Sequence, residues 1–348
     1  MISQSLYVHV PFCKAKCPYC DFYSIERADG TPLLQEQFIN RCVAILQGQG
    51  IWRTAYIGGG TPSVLAPTLL ARLLAAIECE SAANSAGEFT IECNPTSVTR
   101  EFARTIKEGG VNRVSLGVQS VIPAERKALG RKGDIATIEQ AIGLLGINNL
   151  SLDIMLGIPG QSIESLTKTM EFCARCAKHI SAYLLKIEPG TPFATHLPPN
   201  LPDEDAQADL YLHACQWLEA HGFAQYEISN FAYPGYESWH NLNYWRCGEY
   251  FAIGPAAHGF TRGRRWHYTR DLAAFLRGEP ATDDGPGGDY GERAMLALRL
   301  SEGFTLPSAR MMEQAGELPG LVEVNENCIK LTRDGFLLSN TIIGKLLS

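Results

Sequence analysis

The chain has 348 residues, 45% of them apolar and 19% charged, enough to bury one large core with an appendage or two smaller ones. A net charge of −7 with no basic run argues against nucleic-acid binding as the main activity. There is no charged leader with an apolar run behind it and no stretch of about 18 apolar residues. Secretion and membrane spanning are therefore not expected, and eleven scattered cysteines fit a reducing cytoplasm better than a disulfide framework.

The first strand-like run, residues 6–10, opens onto Pro11-Phe12-Cys13-Lys14-Ala15-Lys16-Cys17-Pro18-Tyr19-Cys20-Asp21-Phe22. Pro11 and Pro18 make this stretch a loop rather than a core helix. Cys13, Cys17 and Cys20, four and three residues apart, can aim three sulfurs at one point. The plain alternative is a set of buried thiols. Three thiolates are an incomplete set for a metal or cluster, so one position is filled from elsewhere or stays open to bind something. Zinc would want a fourth Cys or His, for which His9 is near, and an iron–sulfur cluster usually has four cysteines. The spacing does not choose between them.

Five more strand-like runs follow, at 54–57, 88–92, 113–118, 151–156 and 182–187, alternating with amphipathic segments at 33–46, 66–78, 100–107, 135–145 and 163–177. Six such units predict an α/β fold with a parallel sheet covered by helices, either a partial (β/α)6 barrel or a doubly wound sheet. Ligands collect at the carboxyl ends of the strands in both architectures. The second strand ends in Gly58-Gly59-Gly60-Thr61-Pro62, where missing side chains let backbone N–H groups approach a ligand or simply allow a tight turn. The third ends in Glu92-Cys93-Asn94-Pro95 and the fourth in Gly117-Val118-Gln119-Ser120. The fifth carries Asp153 and ends in Gly157-Ile158-Pro159-Gly160-Gln161. Glu92, Gln119 and Asp153 are polar groups in or beside apolar strands, where burial without a partner is costly, so a small-molecule site is expected at that rim.

Past residue 188 the alternation fades. Residues 189–202 hold five prolines and read as a linker or loop, and 203–218 as a helix started by Asp203 or by Pro202 ahead of it. An aromatic-rich stretch spans 226–250 and includes Tyr226, Trp239, His240, Tyr244, Trp245 and Tyr250. Residues 283–289 read as a second linker, 290–300 as a helix, and 323–331 with 335–347 as the strand and helix of a small winged-helix-like unit. The expected division is 1–200, 201–282 and 283–348. The unit at the end has no basic surface and is expected to pack on the main body. Cys173 and Cys176 fall inside a predicted helix, without the strand-to-helix setting of a redox pair.

These residues resemble the radical S-adenosylmethionine superfamily: Cys13, Cys17 and Cys20 in C-x-x-x-C-x-x-C spacing, with Gly58–Pro62 and Gly157–Gly160 similar to its second and fifth strand motifs. Over most of the chain the likeness extends to the branch holding oxygen-independent coproporphyrinogen III oxidase and the HemW-type haem chaperones. The resemblance implies a 4Fe–4S cluster on the three cysteines, with S-adenosylmethionine on the open iron and one-electron cleavage to a 5′-deoxyadenosyl radical. Tyr7, Gly59, Gly60, Thr61, Glu92, Gln119, Arg131 and Asp153 are similar to the family's cofactor contacts. Arg131 has no signal of its own. The oxidases carry a fourth cysteine two residues after the third, where Phe22 stands here, and an N-terminal extension, whereas this chain starts twelve residues before Cys13.

His240-Asn241-Leu242-Asn243-Tyr244-Trp245 matches the H-N-x-x-Y-W motif of the HemW-type proteins, whose histidine is implicated in haem binding. A histidine among aromatic rings offers an axial imidazole within a flat apolar surface, although an ordinary packed histidine reads the same way. Cys247 offers a thiolate instead. The expectation is a cytoplasmic haem chaperone that delivers haem to acceptors such as respiratory enzymes, with the cluster and S-adenosylmethionine supporting or regulating transfer. Homodimerisation and transient contact with a membrane surface are compatible with it. No catalytic residue is assigned. The alternative is an enzyme that oxidatively decarboxylates coproporphyrinogen III to protoporphyrinogen IX.

Overall fold

The structure is a computed structural model that describes residues 5–26, 31–80 and 87–348. Six strands run parallel and in sequence order: β1 Ser5–Val10, β2 Thr54–Gly59, β3 Glu88–Cys93, β4 Arg113–Gln119, β5 Asn149–Leu156 and β6 His179–Leu184. Helices Pro32–Leu46, Pro67–Ala76, Arg100–Glu108, Ile135–Leu145 and Ile163–Cys176 connect them. Their starts are fixed locally. Thr99 accepts the Phe102 amide, and Asp134 and Ser162 each form reciprocal caps with the residue three positions on.

Register explains why the sheet closes on a polar interior. Successive strand residues point to opposite faces. Ser5, Tyr7 and His9 pair with Thr54, Tyr56 and Gly58; Thr54 and Tyr56 pair with Glu88 and Thr90. Further round, Glu92 pairs with Ser115, Ser115 with Ser151, Gly117 with Asp153, and Asp153 with Ser181. The polar residues of all six strands thus share one face. The alternate residues, including Leu6, Val8, Ile57, Ile91, Leu116, Leu152 and Ile180, are buried in the core against the helices. The strands are therefore apolar on one face only, rather than the apolar-throughout runs of a sheet covered on both sides.

The sixth strand begins earlier than the expected 182–187 because its polar residues have partners inside. His179 bonds Ser151 Oγ and the Tyr226 hydroxyl, each at 2.8 Å. Two antiparallel strands, β7 Ala224–Glu227 and β8 Asn230–Ala232, extend the sheet beyond β6, and β9 Phe251–Ile253 pairs in parallel outside β1. The aromatic stretch 226–250 is thus divided among a sheet edge, a helix and turns rather than forming one surface.

The chain then forms a three-stranded antiparallel sheet, β10 His258–Thr261, β11 Arg264–His267 and β12 Thr282–Pro286, so the segment read as a second linker begins as a strand. The α+β appendage has β13 Phe304–Thr305, β14 Val322–Asn325 and β15 Cys328–Leu331 with three helices. The expected single strand 323–331 is a hairpin, and 335–347 divides into helices Arg333–Leu337 and Ser339–Leu346. The appendage packs on the main body, where Arg333 pairs with Glu219 of the long helix Glu204–Ala220.

Candidate functional site

The cysteine loop is held from both sides. Phe12 is fully buried and meets Phe38 edge-on with centroids 5.5 Å apart. The Cys13 amide donates to Ile25 O at 2.9 Å and the Ile25 amide to Pro11 O at 2.7 Å, closing the loop at its base. Cys13 is buried, Cys17 and Cys20 are half-buried, and all three thiols are free. Burial raises the Cys20 thiol above its ordinary range; a backbone hydrogen bond from Phe22 opposes this, and the neighbouring Cys17 and Cys13 add to it.

A zinc ion on three thiolates would need a fourth ligand. His9 does not supply it, because its Nδ1 bonds the Tyr7 hydroxyl at 3.0 Å and its Nε2 bonds Tyr23 O at 2.8 Å. The guanidinium of Arg131 donates to Cys17 Sγ at 3.7 Å, as expected of a group that tunes cluster potential. When bound, a cluster of this kind supplies an electron to the sulfonium of S-adenosylmethionine.

The glycine motif locks onto this loop. The Gly60 amide donates to Val10 O at 2.8 Å, the Thr61 amide to Phe12 O at 2.7 Å, and Thr61 Oγ1 lies 3.4 Å from Cys13 Sγ. A Cβ on Gly60 would fall 2.6 Å from Phe12 O, so the absent side chain is needed for this approach. The Gly60 and Thr61 amides thus tie the turn to the cysteine loop, the tight-turn role that the run of glycines allowed.

Next to them, Glu92 accepts the Tyr56 hydroxyl at 2.8 Å and the Gly59 amide at 3.2 Å. Burial pushes its carboxyl up to about 7; the Tyr56 bond opposes this and the charge of Asp153 adds to it. Ser115 Oγ lies 2.9 Å from both carboxylate oxygens of Asp153, and burial raises that carboxyl too. Gln119 adopts a left-handed φ of 66° at a register shift against β5, which carries its amide over Gly117. A Cβ on Gly117 would meet Gln119 Nε2 at 3.0 Å and Arg131 Nη2 at 3.2 Å, and Arg131 donates to Gly117 O. Tyr7, Gly59, Gly60, Thr61, Glu92, Gln119, Arg131 and Asp153 thus gather on the inner face and carboxyl rim beside the cysteines. A cavity of about 120 Å³ bounded by Lys14, Cys17, Thr61, Asn94, Arg131 and Lys132 opens next to the loop.

His240 occupies the opposite end of the interior. It lies on the helix Trp239–Trp245 and is 0% exposed. Its Nδ1 bonds Thr54 Oγ1 at 2.8 Å, its Nε2 bonds the Tyr244 hydroxyl at 2.6 Å, and burial lowers its basicity to a pKa of about 3. Glu88 carries the helix, accepting from the Trp239 and His240 amides at 2.9 and 3.1 Å and from Ser238 Oγ at 3.2 Å, with Arg113 4.0 Å behind it. Cys247 is buried with a left-handed φ of 54°, and Arg265 Nη2 donates to its sulfur at 3.8 Å. Sequence reasoning missed Tyr56, Glu88 and Arg113. Their only signal was the alternation of polar and apolar positions along apparently apolar strands.

The family model of the Radical SAM superfamily matches residues 7–173. Heme chaperone HemW of Escherichia coli strain K12 is 40% identical over 290 residues, covering 79% of this chain and 76% of the relative. Heme chaperone HemW of Bacillus subtilis strain 168 is 34% identical over 381 residues, covering 99% of both chains. Coproporphyrinogen III oxidase from Escherichia coli superposes with a TM-score of 0.81 over 100% of this chain and 90% of that one; at 20% identity this shows a shared fold. The cysteine loop, the polar barrel face and identity sustained along the full length agree: the chain belongs to the HemW family of radical SAM proteins.

Proposed function

We propose that this protein binds haem and passes it to haem-dependent acceptors such as respiratory enzymes in the cytoplasm. In this reading Cys13, Cys17 and Cys20 hold a 4Fe–4S cluster, and S-adenosylmethionine lies against Gly59, Gly60, Thr61, Glu92, Gln119, Arg131 and Asp153, with Tyr7 below. Glu92 and Asp153 supply negative charge for a cationic cofactor at the rim. Family membership supports the cargo.

The observation that carries the regulatory part is the short path from pocket to motif: Glu92 accepts the Tyr56 hydroxyl, and the Tyr56 ring stacks on His240. A ligand that takes hold of Glu92 therefore acts on the wall that holds the haem motif. In the docked helix both imidazole nitrogens of His240 are engaged, so ligation of haem iron requires the helix Trp239–Trp245 to leave the interior.

Haem titration of wild type, His240→Ala and Cys247→Ala tests this. Binding lost in His240→Ala alone is expected; binding lost only in Cys247→Ala transfers the ligand role, and no haem binding by wild type overturns the chaperone reading. Anaerobic reconstitution is expected to give about four irons per chain, lost in Cys17→Ala. Turnover of coproporphyrinogen III to protoporphyrinogen IX by the reduced protein with S-adenosylmethionine would replace the carrier with the enzyme.

A further inference from the structure

A second metal-ligating cluster lies outside the cofactor pocket, on the sheet β10–β11–β12. His258 opens β10 and stands directly opposite His267, the last residue of β11. Their rings stack with centroids 5.2 Å apart and planes 25° from parallel. Asp284 comes from β12 through a break in register: Arg265 pairs with Gly285 and Trp266 with Asp283, leaving Asp284 as the extra residue between them. A bulge of this kind re-aims a side chain. Here it turns the Asp284 carboxylate onto His267 Nδ1, at 2.8 and 2.9 Å for its two oxygens. One donor atom from each of the three residues lies within 4.8 Å of the other two.

We propose that His258, His267 and Asp284 form a binding site for a divalent transition-metal ion of the zinc, cobalt or iron(II) class. Two imidazoles and one carboxylate are the borderline donors such ions take, and three protein ligands leave positions for water. The proton that Asp284 and His267 Nδ1 share in their hydrogen bond is released when an ion takes the two donors. His258 and Asp284 are exposed and His267 is half-buried, so an ion can enter from solvent. Two nearby cations are already paired: Arg270 with Asp21, and Arg265 with Glu292. Three donors on one side of one ion do not suit haem, whose porphyrin occupies the equatorial positions and leaves only single axial sites.

The site has a structural consequence for the cysteine loop. Arg270, three residues beyond His267, donates to Asp21, and the Leu272 amide donates to the Tyr23 hydroxyl at 2.8 Å. An ion that fastens β12 to β10 and β11 thereby braces the strap that holds the loop between Cys20 and Tyr23.

The test is cobalt(II) titration of the full-length, cluster-reconstituted protein, so that the cluster cysteines are occupied. Wild type is expected to bind one cobalt per chain with visible ligand-field absorption and no intense thiolate charge-transfer band. His258→Gln is expected to abolish this spectrum, and Asp284→Asn, which replaces the anionic ligand, to weaken binding by at least about tenfold. Unchanged iron content and unchanged haem titration show that the variants are folded and separate this proposal from the chaperone reading. A thiolate band, identical cobalt binding by wild type and His258→Gln, or no cobalt bound by the iron-replete wild type would overturn the site. Loss of haem binding in His258→Gln without loss of cobalt binding would overturn it too, by giving His258 to the haem.

Discussion

The Tyr56 ring and the His240 imidazole stack with centroids 5.2 Å apart and planes 28° from parallel. Tyr56 comes from the middle of β2 and His240 from a helix that closes the amino end of the barrel, so this contact spans the depth of the interior. Because the Tyr56 hydroxyl also donates to Glu92, one side chain touches both the rim pocket and the haem motif.

Replacing Tyr56 with Phe keeps the stack and removes the bond to Glu92. A hydrogen bond to a charged group contributes about 1.5–3 kcal/mol. S-adenosylmethionine affinity is expected to fall about tenfold at pH 7 by calorimetry, and the melting temperature to fall with it, because buried Glu92 loses the partner that favours its ionised form. Unchanged affinity would remove Tyr56 from the path.

Glu92 sets a pH dependence. Its carboxyl titrates at about 7 in the folded protein against an ordinary value of 4.5, because burial disfavours the charge. Between these values the folded state holds more protons than the unfolded state, so this group makes stability fall as pH rises through that window and level off above it. Glu227, also raised to about 7 by burial, acts in the same direction. Glu92→Gln is expected to raise the melting temperature at pH 8 and leave it nearly unchanged at pH 4. Cofactor affinity should run the other way in wild type, increasing as pH rises through about 7, because the sulfonium prefers the ionised carboxylate.

Glu88 is the latch on the His240 helix. Glu88→Gln keeps the shape but weakens three bonds to Ser238, Trp239 and His240 and leaves Arg113 facing a neutral amide. Stability is expected to drop by about 3–5 kcal/mol, the range for loss of one partner of a buried charge pair. Haem association, followed by stopped flow, is expected to accelerate because the helix undocks more often. A slower rate would argue against release of the helix as a step in uptake.

Arg131 donates to Cys17 Sγ and Gly117 O. Arg131→Gln removes a positive charge beside the sulfurs, so the reduced cluster loses stabilisation and the midpoint potential is expected to become more negative in an EPR-monitored titration. Iron content should stay at the wild-type level, since no ligand is lost.

Gly60→Ala inserts a methyl group 2.6 Å from Phe12 O and 2.8 Å from Val10 O. Forcing these backbones apart costs about 1–3 kcal/mol. Reduced iron incorporation at near-native helix content, by iron assay and circular dichroism, is the expected outcome.

Features written in short spacings were legible in the sequence. The three cysteines, the glycine turn after β2 and the polar residues at strand ends all lie within local segments, and local segments fix loops, turns and the alternation of strand and helix. The α/β class and the clustering of Glu92, Gln119 and Asp153 at one rim followed from that alternation and the ordering of parallel strands. The start of β6 did not, because His179 and Ser181 read as polar intrusions until their partners on β5 and Tyr226 are in place.

What the tertiary structure alone decided are relationships across long sequence distances. Glu88 caps a helix about 150 residues away, and Tyr56 meets His240 across 184 positions. The direction of His240, inward with both nitrogens bonded, depends on Thr54 and Tyr244 rather than on its motif. The triad His258, His267 and Asp284 exists only through strand register and one bulge, which no local pattern encodes. Spacing along a chain states which groups share an element. Which groups meet is set by pairing register and by the need of every buried polar atom for a partner.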